Sequence, residues 1–350
     1  MPHALRSVHG IDDAGGGIQR EEMSVWFLSN QSFEEGATSM LVQQAFVQKN
    51  KMLKGNLHTH TTRSDGKLTP EEVIRLYREK GYDFLAITDH QIYNFKDFAP
   101  EEGLTILPGV EFDNGWHKCE YGGFRCFHTV CIGSSREEGN GFEQDERLPS
   151  ADAPTQEEYQ PYLDEIHGKK NLTIHCHPEW SGTSARYFET LKGNFAMEIW
   201  NSGGAYENDV DRDAAYWDEL LGQRIRIWGV AADDVHTLQH YGNGWVMVNA
   251  ENNMNDILSA LEAGAFYSSC GPEIYNFYVE DNKAVIECSQ VAKIRVHCNG
   301  FPAKIVRSAE GNLTHAEIEL KHWAGSYPYV RMTVIDKAGK YAWTNPIFLE

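Results

Sequence analysis

Basic side chains are scarce in this 350-residue chain: 31 Lys and Arg stand against 51 Asp and Glu, a formal net charge of −20. That deficit argues against a protein that tracks nucleic-acid polymers or an anionic membrane surface, because phosphate backbones and headgroups are held by clustered cations. It does not exclude a small anionic substrate. Long apolar runs are missing too. No segment approaches the roughly 18 consecutive apolar residues of a membrane span, and residues 1–6 lack the apolar core of a secretory signal. A soluble, cytoplasmic protein is expected. The seven cysteines, an odd number, include no Cys-x-x-Cys pair, and a chain of this size has no need of disulfide staples. Reduced thiols are the first reading, with a disulfide among Cys119, Cys126 and Cys131 as the competing one. Histidine is what the chain has in excess: 15 residues, ten of them from His58 to His240.

Three regions follow from the pattern. Residues 1–50 are mixed, with the glycine run Gly15-Gly16-Gly17 and a short apolar stretch, 25–28, that reads as a strand. Residues 51–269 alternate apolar runs with helical signals. Thr69-Pro70-Glu71-Glu72 places an N-cap hydroxyl, a proline in the first turn and a capping glutamate ahead of Val73, Leu76 and Tyr77 on one face, with Gly81 as the stop. Thr155 and Glu158 repeat the device before Tyr159, Tyr162, Leu163 and Ile166. Strands are expected near 83–88, 104–107, 125–132, 172–177, 196–200, 225–232 and 245–249, with further helices near 209–221 and after Asn253. Repeated strand-then-helix units imply an α/β domain with a parallel sheet, either closed into a barrel or doubly wound. Residues 270–350 have a different texture: β-like segments between turn residues, with no helical period, suit a small antiparallel sandwich.

The residues that carry chemistry cluster at predicted strand ends. His58, His90, His177 and Asp234 lie at or just past the C-terminal ends of strands, with Glu111 and His128 close to others, and in an α/β barrel those ends converge on one face. Imidazole and carboxylate together, without thiolate pairs, suit Zn, Mn or Fe rather than Mg or Ca. His58, His60, Asp65, His90, Glu111, His128, His177, Asp234 and His236 exceed the three or so protein ligands that one catalytic zinc takes. Two or three divalent ions are expected, with a carboxylate bridging a pair. Such ions make a hydroxide nucleophile at neutral pH and offset charge on the leaving oxygen. Asp89 and Asp233 read as partners that orient ligands rather than as ligands.

At these residues the sequence resembles the PHP family, named for polymerase and histidinol phosphatase domains. The resemblance rests on Gly55-Asn56-Leu57-His58-Thr59-His60, Ser64-Asp65-Gly66, Ile87-Thr88-Asp89-His90, Pro108-Gly109-Val110-Glu111, His177-Pro178 and Asp234-Val235-His236. It implies a distorted (β/α)7 TIM-like barrel with a trinuclear metal site at one face. Carried over by residue, His58 and His60 would hold one ion with Glu111 and Asp234. Glu111 would bridge to a second ion on His128 and His177, and Asp65, His90 and His236 would hold the third. Asp234, Glu111 and His236 would then be the catalytic residues. The tail, Gly271-Pro272 and Ala342-Trp343-Thr344-Asn345-Pro346-Ile347, resembles the carbaryl-hydrolase-like (CehA/McbA) branch, which implies ester and carbamate hydrolysis beside phosphoester hydrolysis.

Arg63 and Arg186 sit in loops after site-bearing strands, where a guanidinium could clamp an anion. His175, on the same strand face as His177 by alternation, and Asn201 complete the candidate substrate contacts. Trp180, Trp200 and Trp228 are either pocket walls or core. The expected function is a multinuclear metal-dependent phosphoesterase acting on a small phosphate mono- or diester, with no nucleic-acid polymer or membrane as partner. Carboxylic or carbamic ester hydrolysis at the same site is the alternative, and a non-catalytic metal-bound binding module the third reading.

Overall fold

Both capping boxes close as read. Thr69 Oγ1 accepts from the Glu72 N–H at 3.3 Å while the Glu72 carboxylate accepts from the Thr69 N–H at 2.8 Å, and Thr155 and Glu158 pair the same way at 3.3 and 3.1 Å. They open α1 (Pro70–Glu79) and α2 (Gln156–Gly168). The computed structural model describes residues 43–47, 52–119, 123–133, 141–210, 213–299, 301–320 and 327–349. The strand expected at 25–28 lies outside them. Among the described residues no helix is long and apolar enough to cross a membrane, and the seven cysteines are free thiols.

The strands are β1 (Gln43–Val47), β2 (Leu53–Asn56), β3 (Phe84–Ala86), β4 (Thr105–Leu107), β5 (Gly109–Asp113), β6 (His117–Lys118), β7 (Phe124–Arg125), β8 (His128–Gly133), β9 (Asn171–His175), β10 (Ala196–Asn201) and β11 (Trp228–Ala232). They continue with β12 (Trp245–Val248), β13 (Phe266–Ser269), β14 (Ile274–Glu280), β15 (Lys283–Val291), β16 (Lys293–Asn299), β17 (Phe301–Arg307), β18 (Leu313–Glu319), β19 (Tyr329–Ile335), β20 (Tyr341–Thr344) and β21 (Ile347–Phe348). The remaining helices are α3 (Ala185–Phe188), α4 (Ser202–Asn208), α5 (Asp213–Gly222) and α6 (Met254–Glu262).

Two sheets of this mixed α/β fold carry the site. In one, β2, β3 and β4 pair in parallel and β12 joins β2 antiparallel. The other runs β11-β10-β9-β8-β5, parallel from β11 to β9 and antiparallel from β9 to β5. The expectation of a parallel sheet is corrected here. Between β5 and β8 the chain makes the short β6–β7 hairpin instead of a crossover helix, and without a crossover the returning strand must be antiparallel. Nor is the barrel closed: among the described residues no ladder joins the two sheets. Isolated parallel bridges cross the gap instead, Thr59 to Val235 on one side and His90 to Glu111 on the other. One apolar cluster, with Leu53, Phe84 and Leu107 from the first sheet and Val130, Ile174 and Val230 from the second, fills the space between.

The C-terminal strands are antiparallel, as their texture suggested, but they do not stand apart. β20 pairs with β13, so a single sheet continues from β4 through β12 and β13 to β19, β16 and β17. The facing sheet, β1-β14-β15-β18, takes its edge strand from before the first site residue. Ile274, Phe277 and Ile286 meet Ile294, Met332 and Val334 in a second core.

A buried charge cluster ties α5 to this part of the fold. Asp218 accepts from Arg331 Nε at 2.7 Å, Tyr329 Oη at 2.8 Å and His297 Nδ1 at 2.9 Å. Burial pushes the His297 imidazole down to about 4, and the charge on Arg331 adds to the effect. A histidine that binds its proton less readily folded than unfolded contributes stability that is complete above about pH 6.5 and is lost as pH falls toward 4. That loss should reach up to about 3 kcal/mol. Urea midpoints at pH 7, 5.5 and 4.5 should fall more steeply for the parent than for His297→Asn, which keeps a donor to Asp218 without the titration. Parallel curves would mean that His297 is not responsible.

Candidate metal centre

The ends of β2, β3, β9 and β11 deliver His58 and His60, His90, His177, and Asp234 and His236. Glu111 stands inside β5. His128 is the first residue of β8, yet it reaches the same end of the sheet, because β8 runs against β9 and β5 and begins where they finish. His177 and Asp234 sit at φ 27° and 50°, left-handed backbone that costs a non-glycine residue about 1–3 kcal/mol and collects at functional sites. The loop from Thr61 to Gly66 folds back on itself, with the Gly66 N–H donating to Thr61 O at 3.0 Å. A Cβ on Gly66 would stand 2.7 Å from the His60 carbonyl, so only glycine lets Asp65 return to the site.

Glu111 is the centre of the cluster. Its Oε2 lies 3.3 Å from His58 Nε2, 3.1 Å from His60 Nε2 and 3.0 Å from His90 Nδ1. Its Oε1 lies 3.1 Å from His128 Nδ1 and 3.3 Å from His177 Nε2. Asp234 Oδ1 is 3.3 Å from His58 Nε2 and 3.1 Å from His60 Nε2. Asp65 Oδ2 faces His236 Nε2 at 3.3 Å and His90 Nε2 at 3.8 Å. Burial works against the charge on Glu111, but the facing His90, His58 and His128 hold its carboxyl well below the usual range. Asp234 is held low in the same way, with burial opposed by His58, His60 and His236.

This donor set fits small divalent cations. Glu111 Oε2 and Asp234 Oδ1 are buried and accept no hydrogen bond. Two donors each about 2.1 Å from a tetrahedral ion stand roughly 3.4 Å apart, and the distances above cluster around that value. The ligand atoms of His60, Asp65, His90 and His236 lie within 4.8 Å of one another, as do those of His58, His60 and Asp234, and those of His90, Glu111 and His128. A fourth group joins His58, Glu111 and His177 to the Cys176 thiol, which sequence reasoning left out.

Other residues orient these ligands. Glu198, inside β10 and 1% exposed, accepts from His58 Nδ1 at 2.7 Å and from the His177 N–H at 2.8 Å. That contact fixes the His58 tautomer and leaves the Nε2 lone pair facing inward. Asn201 donates to Glu198 at 2.8 Å and to Asp234 Oδ2 at 3.1 Å, so it positions two carboxylates and does not line the cavity. Asp113 faces His90 Nδ1 at 3.2 Å. Sequence reasoning missed Glu198 and Asp113; the second was readable, since Glu111 and Asp113 share one face of β5 by alternation. Asp89 does not orient His90 as expected. It accepts from the Thr61 N–H at 2.7 Å and from Ser64 Oγ at 2.8 Å, which shapes the loop before Asp65. Asp233 is pushed up to about 6 by burial, against bonds from the N–H groups of Gly244, Gly242 and Asn243 and from Tyr77.

Above the cluster opens a cavity of about 430 Å³. Lys67 and Trp180 line it, whereas Arg63 and Arg186 do not. Arg63 donates to Asn94 Oδ1 at 3.0 Å and pairs with Asp145; Arg186 bonds the Tyr187 hydroxyl at 2.5 Å. His175 is buried against Phe188, 4.1 Å between ring centroids, because β9 ends there and the left-handed turn at His177 breaks the alternation. Trp200 and Trp228 pack near Trp343 and Phe348.

Loading with Zn, Mn or Fe should give two to three ions per chain by elemental analysis and should release protons, since imidazole binds metal only when neutral. His58→Ala and Asp65→Asn should each reduce the count, and Glu198→Ala should weaken affinity about 10- to 100-fold. One ion per chain in the parent would break the multinuclear assignment.

The family model described as PHP domain matches residues 56–192. Among curated proteins, the 5'-3' exoribonuclease Rnm of Salmonella typhimurium is 41% identical over 71 residues, 19% of this chain and 24% of that protein. DNA polymerase/3'-5' exonuclease PolX of Bacillus subtilis is 37% identical over 79 residues, 17% of this chain and 14% of that protein. The chain thus spans about a quarter or less of the length of these relatives. Among solved structures, a two-domain protein from Bacteroides vulgatus containing a predicted PHP-like metal-dependent phosphoesterase aligns over 90% of this chain and 92% of its own, at 13% identity and a TM-score of 0.43. An amidohydrolase from Chromobacterium violaceum aligns over 52% and 87%, at 16% identity and a TM-score of 0.34. Both overlaps are too loose to carry an argument. The similarity to PHP domains spans the segment that supplies seven of the nine candidate ligands, from His58 to His177, and ends before Asp234 and His236.

Proposed function

We propose that the protein is a multinuclear metal-dependent phosphoesterase that cleaves a small phosphate mono- or diester. The observation that carries this reading is the convergence of five imidazoles on the two oxygens of one buried carboxylate, Glu111, with Asp234 beside them. Divalent cations held there would supply a nucleophile from water and offset the charge that grows on the ester oxygens. The chain's own residues do the rest. Glu111 spans two halves of the cluster. Asp234 and His236 face the cavity, with His236 Nδ1 held 3.1 Å from the Asp234 carbonyl so that its Nε2 points at Asp65. Lys67, at the cavity wall, offers the ammonium that Arg63 and Arg186 do not, and a single cation suits one phosphate rather than a polymer backbone. Relatives named for exonuclease activity share only a short stretch with this chain, and its net charge of −20 favours a small ester over a nucleic-acid end.

p-Nitrophenyl phosphate, its bis-ester and p-nitrophenyl acetate, assayed in parallel, test the proposal. Turnover of one or both phosphates, abolished by chelation and restored by Mn or Zn, is expected, with little acetate hydrolysis. Acetate turnover alone would replace the phosphoesterase with a carboxylic or carbamic ester hydrolase, and no metal-dependent turnover would leave a binding module. Asp234→Ala should lose at least about 100-fold in kcat/KM, roughly 3 kcal/mol of transition-state stabilisation, with an unchanged circular dichroism spectrum.

A further inference from the structure

α5 carries two buried carboxylates, Asp213 and Asp218, 2% and 3% exposed, and the first of them has no part in the chemistry above. A buried carboxylate is costly unless groups around it donate to it. Asp218 is met by Arg331, Tyr329 and His297 from the C-terminal strands. Asp213 reaches elsewhere: the Glu179 N–H donates to its Oδ1 at 2.7 Å. Glu179 lies two residues past the ligand His177, in a turn where the Ser181 N–H donates to His177 O at 3.0 Å and the Thr183 N–H to Pro178 O at 2.9 Å. The same turn fixes the His177 ring. Its Nδ1 stands 3.0 Å from the hydroxyl of the fully buried Ser181, so an Nδ1–H donated there leaves the Nε2 lone pair facing Glu111.

We propose that Asp213 is a positioning residue for the ion that His177 holds: by fixing the Glu179 N–H it keeps the His177 turn in the shape that aims the imidazole at Glu111. The inference rests on the metal-centre reading and not on the ester assigned to it. His177 sits at φ 27°, a backbone conformation that persists only where the surroundings over-determine it. Glu198 secures the N–H at the start of the turn. Asp213 secures it two residues on, where the chain continues into Trp180 and the cavity wall. The carboxylate of Asp213 is itself well anchored. Five residues of helix, roughly 7.5 Å of rise, separate it from Asp218 and the C-terminal strands. Trp217 holds the same helix, with its Nε1 donating to Ile227 O at 2.9 Å and its ring 4.5 Å from the Arg331 guanidinium.

Competition with a chromophoric chelator reads the affinity for Zn ion by ion. Asp213→Ala should weaken one ion per chain about tenfold, the low end of what losing a ligand's outer partner does, and leave the others as in the parent. Asp213→Asn keeps an oxygen for the Glu179 N–H and should recover most of the loss. Two backgrounds separate positioning from general damage. In a His177→Ala chain, whose ion has already lost that ligand, adding Asp213→Ala should change nothing further; in a His236→Ala chain it should again cost about tenfold. If Asp213→Ala does not fold, Asp213→Ser, one bond shorter and well suited to the start of a helix, takes its place in each comparison. Parent-like affinity in Asp213→Ala, equal losses in the two backgrounds, or an Asn variant as weak as the Ala variant would each overturn the proposal. A parent that binds no ion would remove the metal-centre reading itself, and this inference with it.

Discussion

Glu111 is 1% exposed, and each of its oxygens is turned toward a different set of imidazoles. A carboxylate in that position, without cations around it, would be strongly disfavoured by desolvation. The surrounding architecture exists to make it acceptable. His58, His60 and His90 come from the sheet built on β2 and β3; His128 and His177 come from the sheet that holds Glu111 itself. Moving any of these strands by one residue would turn its ligand away from the carboxylate.

A further layer keeps the ligands from turning. Glu198 binds His58 and the backbone of His177 together, and Asn201 binds Glu198 and Asp234 together. Five residues in or just past four strands thus form one hydrogen-bonded unit. The left-handed backbone at His177 and Asp234 is tolerated because these contacts hold both residues in place. Beyond the candidate ligands, Lys67, Trp180, Glu207 and His240 are among the residues that line the cavity.

Much of this was readable in the linear chain. Capping boxes at Thr69 and Thr155 set helix starts, apolar runs set strands, and ionisable residues just past those runs marked the site. What was not readable has physical causes. The direction of β8 depends on how the preceding connection returns, and the two-residue strands of the β6–β7 hairpin leave no periodic signal. Glu198 sits in the apolar run Ala196-Met197-Glu198-Ile199-Trp200, and spatial neighbours such as His58, 140 positions away, give it a purpose. Arg63 carries a long side chain whose partners, Asn94 and Asp145, are 31 and 82 positions distant, so its loop position says little about where its charge ends. The C-terminal strands read as a separate unit because their texture changes at 270, whereas β13 and β20 pair across that point.

Two parallel bridges between the sheets, Thr59 to Val235 and His90 to Glu111, lie at or beside candidate metal ligands. At the first, His58 and His60 face Asp234 and His236; at the second, His90 faces Glu111 and His128. Ions shared by these residues would act as rivets through both edges of an otherwise open shell. Catalytic cargo and mechanical fastening then become one commodity: each equivalent of metal bound adds its binding free energy to the resistance of the shell to being pulled apart.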